Sequence, residues 1–558
     1  MSFSIAQLNP LALLWQLPLL CLSLLLLKAL HNRYLTGLNT YPGPPLAGFT
    51  NLWRLAYNYS HRHAAPPVLS LHAQYGDVVR IGPRCLSFAD PAAIASFNKM
   101  EKSDFYPVSA VTGGGRYIYT LFSGTDVRWH DRLRKSVNWI FTPQAVASYE
   151  TLVDQTLVLF LKELGDRFAG PRQEKVGGTG TAGGGGGGAT FDMSEWLAYF
   201  AFDFIGDLTY NRRYGFVQEG RDVDGIIASL PALSKYGAYI GQAPILDRLI
   251  RHNVVLMWLE RHGISLRRAF PGVPFTRARL QERHEYDARD DGQDEKQPFR
   301  KGIDPEDAEA NHEDLLDRFN RSKVNHPDIV TDSEVQSMCL TMLFAGGDTT
   351  AITMSATFYY LLRHPRCYQE LRKELDAHWP ADDQLAQSNY EAAAFSTVRR
   401  IRFSDTHKLP YLTACIQETF RIHAAFSTMI ERVTPREGAT ICEHFVPGGT
   451  IVGANSWVIH RNQEVFGEDV DVYRPERWLI DDGEKVKIMN RSLYQFGGGS
   501  HMCLGKHIAY LEIYKLVPSL LAMYEIELED PKKELTMVNG LFMRILDLRV
   551  RIRPRQPS

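Results

Sequence analysis

The sequence has almost no excess of charge of either sign. Among its 558 residues, 62 Lys and Arg stand against 64 Asp and Glu, which leaves a formal net charge of −2 at pH 7. A protein that binds a phosphate backbone needs a clear cationic excess. The balance therefore gives no reason to expect nucleic acid as a partner.

Cysteine is scarce, and its positions are scattered. The seven cysteines lie at positions 21, 85, 339, 367, 415, 442 and 503, without a CxxC pair or any paired spacing. Disulfide frameworks and zinc sites both require such spacing. The pattern excludes both classes of site and indicates a reducing compartment.

No linker and no second glycine-rich cofactor motif divides the chain, although its length would allow about three domains. We therefore predict one large domain over residues 51–558. Six consecutive glycines at 183–188 satisfy a GxGxxG pattern, but no strand leads into them, which argues against a dinucleotide site. Segments 171–190 and 277–314 are predicted to be flexible surface insertions.

A long hydrophobic run covers residues 11–30, where only Gln16, Ser23 and Lys28 are not apolar. About 20 such residues span a bilayer core. A cleaved signal peptide is the alternative, but the first ten residues contain no Lys or Arg and no cleavage site follows. We predict a transmembrane anchor over residues 1–30, with the following positive charge keeping the protein body cytosolic. A proline-rich hinge over residues 31–50 contains the segment PGPP.

The most informative cysteine lies in FGGGSHMCLG, residues 496–505. Three glycines precede Cys503, and the apolar spacing of Leu504, Ile508 and Leu511 predicts a helix directly after it. Backbone N–H groups and the dipole at a helix start favour a thiolate, and glycines allow the backbone to lie flat against a planar group. The alternative is a buried free cysteine in a glycine-rich turn.

This segment resembles the haem-binding loop FxxGxRxCxG of the cytochromes P-450, with His501 where most eukaryotic members have Arg. The resemblance implies haem b with the Cys503 thiolate as axial ligand of the iron. It places further residues of the loop against the cofactor, namely Phe496, Gly497, Gly499 and Gly505. The implied fold is mainly α with small β-sheets (α+β), in which haem lies between a long central helix and the cysteine loop.

Thr331 and Glu334 form a capping-box pattern that predicts a helix of about 30 residues, about 45 Å long, ending near residues 364–365. Its centre, AGGDTT at 345–350, has two glycines and an Asp, each of which is costly in an apolar helix. The segment is similar to the family motif (A/G)Gx(D/E)T(T/S). The similarity implies that Ala345 and Gly346 lie at the haem and that Asp348 and Thr349 supply protons during oxygen activation. The alternative is a close-packed helix crossing with a satisfied buried Asp.

Glu418 and Arg421 lie three residues apart on one predicted helix face, and Arg477 follows in the segment PERW. Alone, such a pair carries little information. Both segments resemble the family's ExxR and PERF motifs, which implies a buried network that holds the cysteine loop. Two guanidinium groups can satisfy one carboxylate with fixed geometry.

The two haem propionates require cationic partners. By resemblance these are His130, Arg134, Arg432 and His501. Trp129 is one residue out of register with the family pattern WxxxR, so His130 occupies the Trp position. An ordinary surface histidine is the alternative for His130.

Carried over by position, the walls of a substrate pocket come from residues 106–122, 343–347, 424–430 and 540–542. These segments are mostly apolar, which implies an apolar substrate of medium size. Their aromatic and Met residues are equally compatible with an ordinary core.

The resemblance implies a monooxygenase that inserts one atom of O2 into a small molecule. Other segments of the chain resemble filamentous-fungal members of the pisatin demethylase kind, which favours a role in secondary metabolism. With 55 residues after Cys503, no fused flavin domain is expected. Electrons would then come from a separate NADPH–cytochrome P-450 reductase, with cytochrome b5 as a further donor, at the endoplasmic reticulum membrane. A haem-thiolate isomerase, dehydratase or peroxygenase is one alternative, although such enzymes commonly lose the acid–alcohol pair. A non-catalytic haem protein is another.

Overall fold

The computed structural model describes residues 10–170, 189–264, 270–289, 313–378 and 401–555. Within these ranges helices predominate, and the strands are short and form small separate sheets. This confirms the predicted mainly α class. Most of the predicted insertion at 171–190 lies outside the described residues.

The described helices are numbered in chain order. In the amino-terminal half they are α1 (Pro10–Tyr34), α2 (Asn51–Ser60), α3 (Val68–Tyr75), α4 (Ala93–Phe97), α5 (Val127–Val137), α6 (Pro143–Ala147), α7 (Glu150–Leu164), α8 (Met193–Tyr210), α9 (Phe216–Glu219), α10 (Ile226–Ile240), α11 (Ile245–Leu249), α12 (Val254–Arg261) and α13 (Gly272–Arg289). In the other half they are α14 (Leu315–Asn325), α15 (Asp332–Thr341), α16 (Gly347–Arg363), α17 (Pro365–His378), α18 (Phe403–Thr406), α19 (Pro410–Ile422), α20 (Ser456–Ile459), α21 (Gln463–Phe466), α22 (Gly483–Ser492) and α23 (Lys506–Met523).

Short 3-10 and π turns connect some of these helices. The 3-10 turns are Pro45–Gly48, Tyr106–Ser109, Asn138–Phe141, Pro475–Trp478 and Gly499–His501, and the π turns are Gly165–Ala169 and Met342–Gly346.

The strands are β1 (Val78–Gly82), β2 (Cys85–Phe88), β3 (Glu101–Lys102), β4 (Val111–Gly113), β5 (Arg116–Ile118), β6 (Phe191–Asp192), β7 (Ile430–Val433), β8 (Ala439–Ile441), β9 (His444–Val446), β10 (Ile451–Ala454), β11 (Tyr524–Leu528), β12 (Thr536–Asn539), β13 (Met543–Leu546) and β14 (Arg549–Pro554). The largest sheet has five strands in the order β1-β2-β10-β7-β3, in which only β2 and β10 pair in parallel. A three-stranded sheet has the order β11-β14-β6, and β12–β13, β4–β5 and β8–β9 are antiparallel pairs.

The predicted long helix is formed by α15, the π turn Met342–Gly346 and α16, which follow one another without a break. Thr331 caps its start, and the capping box with Glu334 is present. The helix ends at Arg363, before a proline that cannot continue it. It packs against α8 and α23 in the largest hydrophobic cluster. The start, end and length of the helix predicted from the sequence are confirmed.

The hydrophobic run near the amino terminus lies in α1, and many of its leucine side chains are exposed. In a search restricted to the described part of the chain, no helix was both long enough and apolar enough to cross a membrane.

The charged segment 277–314 is not a loop throughout, because its first part continues α13 as far as Arg289. Arg283 on this helix forms ion pairs with Asp314, at 2.8 Å, and with Asp317, at 2.5 Å. The charge run was interpreted as a solvated loop, whereas in this part its charges tie α13 to α14. Residues 290–312 lie outside the described ranges.

Candidate active site

The loop before Cys503 turns through two glycines with positive φ angles, 68° at Gly497 and 60° at Gly499. This is the left-handed region, which side chains other than glycine adopt at a cost. A Cβ atom at Gly499 would also collide with the side chain of Asn98. The Cys503 N–H donates to the Phe496 carbonyl at 2.9 Å, which closes the loop.

Helix α23 begins at Lys506, directly after Gly505, as the sequence predicts. The side chain of Cys503 is accessible to solvent, yet burial raises the pKa of its thiol above the ordinary value. The N–H groups of Gly505 and Lys506 and the charge of Arg134 oppose that rise without overcoming it. The N–H groups at the helix start thus favour the thiolate, as predicted, while burial opposes it. A coordinated metal ion deprotonates a thiol outright.

Five basic residues from four segments form what we call the cationic cluster. They are Lys102 of β3, His130 and Arg134 of α5, Arg432 of β7, and His501 beside the ligand position. His130 Nε2 lies 3.3 Å from His501 Nδ1, and the two ring centroids are 4.4 Å apart. His130 is buried, so the surface-histidine alternative is wrong.

The electrostatics of this cluster indicate a site for an anion. Burial lowers the pKa of His501 to about 3, with Arg432, His130, Lys102 and Arg134 as further causes. Burial lowers the pKa of Lys102 to about 7, with the charges of Arg432 and Arg134 adding to the effect. Like charges held this closely destabilise each other's charged forms and favour an acidic ligand between them.

The donors of the cluster fit haem propionates. Arg432 Nη1 donates to the Tyr106 hydroxyl and to the Glu431 carbonyl, both at 2.7 Å. Its Nε is buried and has no hydrogen-bond partner among the described residues. A guanidinium with an unused buried donor is suited to a carboxylate. The residues present therefore fit the predicted haem.

Lys102 was missed from the sequence because it belongs to no motif. It joins the cluster because β3 pairs with β7, with Lys102 directly opposite Arg432. Its Nζ already donates to the carbonyls of Leu121, Phe122 and Gly124, at 2.6 to 3.1 Å. Lys102 thus contributes charge to the cluster while its N–H groups hold the loop after β5.

The two mid-helix glycines are explained by packing against α8. A Cβ atom at Gly346 would lie 2.5 Å from Ile205, and one at Gly347 would lie 2.7 Å from the Phe202 ring. The close packing that the helix-crossing alternative requires is therefore present at both glycines, whose missing side chains face α8. Ala345, by contrast, is exposed at the π turn.

Asp348 is buried and pairs with an arginine that sequence reasoning did not identify. Asp348 Oδ2 lies 2.7 Å from Arg544 Nη2 of β13. Burial raises the pKa of Asp348, and Arg544 opposes that rise. Its neighbour Thr349 is half-buried and donates from Oγ1 to the Ala345 carbonyl at 2.6 Å. The acid and the alcohol are thus in different environments on adjacent positions.

The predicted three-residue network around Glu418 is present and buried. Arg421 donates to both carboxylate oxygens of Glu418, at 2.7 and 2.9 Å, and Arg477 Nε lies 3.1 Å from each of them. The Trp478 ring N–H also donates to Glu418, at 3.0 Å. Each charge is compensated by several hydrogen bonds, which a buried ion pair needs in order to be stable.

His460 connects this network to the cysteine loop, and sequence reasoning gave it no role in the site. Its Nδ1 lies 3.0 Å from the Arg421 carbonyl, and its Nε2 accepts from the Tyr494 N–H at 2.7 Å. Tyr494 in turn accepts from the Gly497 N–H at 2.9 Å. Phe496, between them, packs its ring against Phe420 of the same helix as Arg421.

Three of the four predicted pocket walls meet through aromatic side chains. Phe122 lies 5.2 Å from Tyr106 and 6.0 Å from Phe426, and Phe426 lies 6.0 Å from Phe542, by ring centroids. Helix α10 adds Ala238 to the same hydrophobic cluster. The hydroxyl groups of Ser109 and Thr428 are buried near these walls without a hydrogen-bond partner among the described residues.

The family model described as Cytochrome P-450 matches residues 68–550. A cytochrome P-450 monooxygenase of Aspergillus terreus is 35% identical over 493 residues, which cover 87% of this chain and 89% of that protein. The monooxygenase cicH of Emericella nidulans is 34% identical over 93% of this chain and 94% of its own length. The monooxygenase mfmA of Annulohypoxylon moriforme is 31% identical over 96% of each.

Family members carry haem b with a cysteine thiolate ligand, and Cys503 is the cysteine of the matching loop. The match extends over most of the chain and includes the central helix, the Glu418 network and the cysteine loop. The chain belongs to the cytochrome P-450 family, and it is an oxidoreductase that incorporates oxygen from O2.

Proposed function

We propose that this protein oxidises an apolar small molecule of fungal secondary metabolism by inserting one oxygen atom, with electrons from a separate NADPH–cytochrome P-450 reductase. The cationic cluster carries the proposal, because it gathers the charges that haem propionates need next to Cys503, the cysteine of the haem-ligand loop. The fungal monooxygenases that the chain resembles support the reaction class.

In this proposal Cys503 would be the thiolate ligand of the haem, and Arg134, Arg432 and the charge of Lys102 would hold the propionates. His130 and His501 complete the same surface as neutral hydrogen-bonding rings. Haem with a thiolate ligand supplies the activation of dioxygen and the transfer of one oxygen atom. Glu418, Arg421 and Arg477 keep the cysteine loop in position through His460.

Asp348 and Thr349 are the proposed proton-delivery pair. Asp348 is a buried acid whose ionised form is stabilised by Arg544, and it can exchange protons only through groups that reach it. The Thr349 hydroxyl is held on the accessible helix face by the Ala345 carbonyl. Proton transfer through positioned groups of this kind contributes a factor of about 10² to 10⁴ to rate.

The pocket walls support an apolar substrate with few polar groups. The rings of Tyr106, Phe122, Phe426 and Phe542 offer an aromatic surface, on which a planar or aliphatic molecule buries area favourably. The unpartnered hydroxyls of Ser109 and Thr428 can each accept or donate one hydrogen bond. We infer a substrate with one or two oxygen atoms on an otherwise apolar skeleton.

The proposal also includes cytochrome b5 as a further electron donor and a location at the endoplasmic reticulum, with the catalytic body in the cytosol. The exposed leucines of α1, among them Leu19, Leu22 and Leu25, support contact with lipid. Soluble proteins rarely expose so many large apolar side chains on one element.

The first test of the chemistry is the carbon monoxide difference spectrum of the reduced protein. The wild type is expected to give the haem-thiolate band, and Cys503→Ser is expected to lose it while keeping the helical content. Cys442→Ser is the matched control, because this cysteine lies between β8 and β9, outside the loop sequence, and should leave the band unchanged. A normal band in Cys503→Ser would overturn the ligand assignment.

The substrate is sought by comparing metabolite masses in the native host with and without the gene. Accumulation of a compound one oxygen atom lighter than the missing product supports the monooxygenase and identifies its substrate. Accumulation of an isomer of the missing product would instead favour a rearrangement and overturn oxygen insertion.

A further inference from the structure

The ion pair between Asp348 and Arg544 joins two elements with separate tasks. Asp348 lies on α16, in the motif proposed for proton delivery, while Arg544 lies on β13 of the β12–β13 hairpin. The side chains are 8% and 11% exposed, respectively, so the pair is largely shielded from water. Removing one partner of such a pair leaves an uncompensated buried charge.

The hairpin that supplies Arg544 also forms a wall of the pocket. Its turn ends at Phe542, which pairs with Phe426, and Met543 N–H donates to the Ala425 carbonyl at 2.8 Å. Phe542 lies directly before β13, in an isolated β-bridge with Phe426, and side chains alternate along such extended backbone. Phe542 and Arg544 therefore share one face, and the fully buried Met543 takes the other. A molecule packed against Phe542 therefore lies against the same strand face as the partner of Asp348.

Arg544 is not saturated by hydrogen bonds. Its Nε and Nη2 are buried and have no aligned hydrogen-bond partner among the described residues, although Nη2 is in ion-pair range of Asp348. A guanidinium carries five donors in a rigid fork, so Arg544 can keep Asp348 in range and still bind a water molecule or a substrate oxygen.

We propose that Arg544 is a positioning residue for proton delivery, which holds the Asp348 carboxylate in place and links it to the pocket wall at Phe542. This inference rests on the proposed function only for its catalytic consequence, because the ion pair itself is formed by the chain without cofactor or substrate. Asp348 remains the group that exchanges protons, and Arg544 sets when and in what orientation it does so.

The test is infrared spectroscopy of the purified full chain, in difference spectra between mildly acidic and mildly alkaline buffer. A protonated carboxyl group has a carbonyl band that its carboxylate lacks, and the part that disappears in Asp348→Asn belongs to Asp348. In Arg544→Met this band is expected to persist to higher pH than in the wild type, since the opposing charge is gone. Arg544→Lys keeps the charge and is expected to resemble the wild type.

Arg549→Met is the matched control, because Arg549 follows on the next strand and pairs with Asp547 in an exposed ion pair. It should leave the Asp348 band unchanged. If Arg544→Met shifts the band no more than this control does, Arg544 does not position Asp348, and the inference is overturned. If Arg544→Met fails to fold, Arg544→Gln replaces it in the same comparison, because it also removes the charge while keeping a polar side chain.

Activity gives the second readout. With the substrate identified as above, Arg544→Met is expected to form less product per NADPH oxidised, with substrate affinity changed less than turnover. The carbon monoxide spectrum of the wild type separates the two claims. If the wild type shows no haem-thiolate band, the proposed function is wrong. If the Asp348 band is unchanged in Arg544→Met, only this inference is wrong.

Discussion

The Nε2 of His460 accepts a hydrogen bond from the Tyr494 N–H at 2.7 Å, and this bond ties the cysteine loop to the rest of the fold. Because a backbone N–H can only donate, Nε2 carries no proton and Nδ1 must donate to the Arg421 carbonyl. The imidazole is therefore neutral, with one fixed tautomer. The Glu418 network reaches the loop through this ring.

His460→Ala should weaken both the fold and the haem site. The substitution leaves two buried backbone groups without partners, at about 1 to 3 kcal/mol each. We expect the free energy of unfolding to fall by about 3 kcal/mol in urea titrations, with loss of the haem-thiolate band at normal expression. His444→Ala, at an exposed position of β9, is the control and should change neither quantity. Equal stability of the two variants would contradict the linking role.

The elements found from the sequence are those whose signals are local. The capping box at Thr331, the glycines before Cys503 and the spacing of Glu418 and Arg421 each lie within a few residues, so their geometry follows from one helix or one turn. The predicted surface loop at 277–289 failed because a run of charges does not reveal that its partners lie on a neighbouring helix.

Long-range partners that belong to no motif were not found. Lys102 meets Arg432 only through the pairing of β3 with β7, and Arg544 meets Asp348 only because β13 packs on α16. A close-packed helix crossing was left open at the two mid-helix glycines, but not that Ile205 and Phe202 of α8 would form it. No pattern in one segment reports which other segment will cover it.

Two buried histidines should make stability depend on pH. Burial lowers the pKa of His460 to about 3 and that of His423 to about 4, whereas in the unfolded chain both take up protons near their ordinary pKa of about 6.5. Between those values the unfolded state binds more protons, so the free energy of unfolding falls as the pH drops below about 6.5. Each ring contributes up to about 1.4 kcal/mol per pH unit.

The contribution of one ring is obtained from His423→Gln, measured against the wild type by urea unfolding at several pH values. The difference in free energy of unfolding should shrink on acidification, because only the wild type loses the histidine term. His444→Gln is the control at an exposed histidine. A difference that stays constant with pH would show that His423 titrates alike in both states.

Gly347→Ala tests whether the mid-helix glycines serve packing. The added methyl group would lie 2.7 Å from the ring of Phe202, which is fully buried and cannot move freely. Overpacking of this kind costs about 1 to 3 kcal/mol, partly offset by the better helix propensity of Ala. We expect a net loss of about 1 to 2 kcal/mol in urea unfolding.

Gly483→Ala is the matched control for that substitution, since Gly483 is also helical and a Cβ atom there meets nothing within 4 Å. It should leave stability unchanged or raise it slightly. If Gly347→Ala kept full stability and lost haem instead, the glycine would serve the cofactor and the packing explanation would be wrong.

Thr349→Ala tests the role of the alcohol in proton delivery. Removing the hydroxyl deletes a proton donor on the accessible helix face. The hydrogen bond lost with it, to the Ala345 carbonyl, is local to the helix. With substrate, reductase and NADPH, we expect product per NADPH to fall roughly tenfold or more and hydrogen peroxide to rise correspondingly. Thr357→Ala is the control, because its hydroxyl makes the same bond, to the Thr353 carbonyl at 2.9 Å, two turns further along the helix. Full coupling in Thr349→Ala, with product and NADPH still in step, would remove Thr349 from the proton-delivery pair and leave Asp348 to act with water alone.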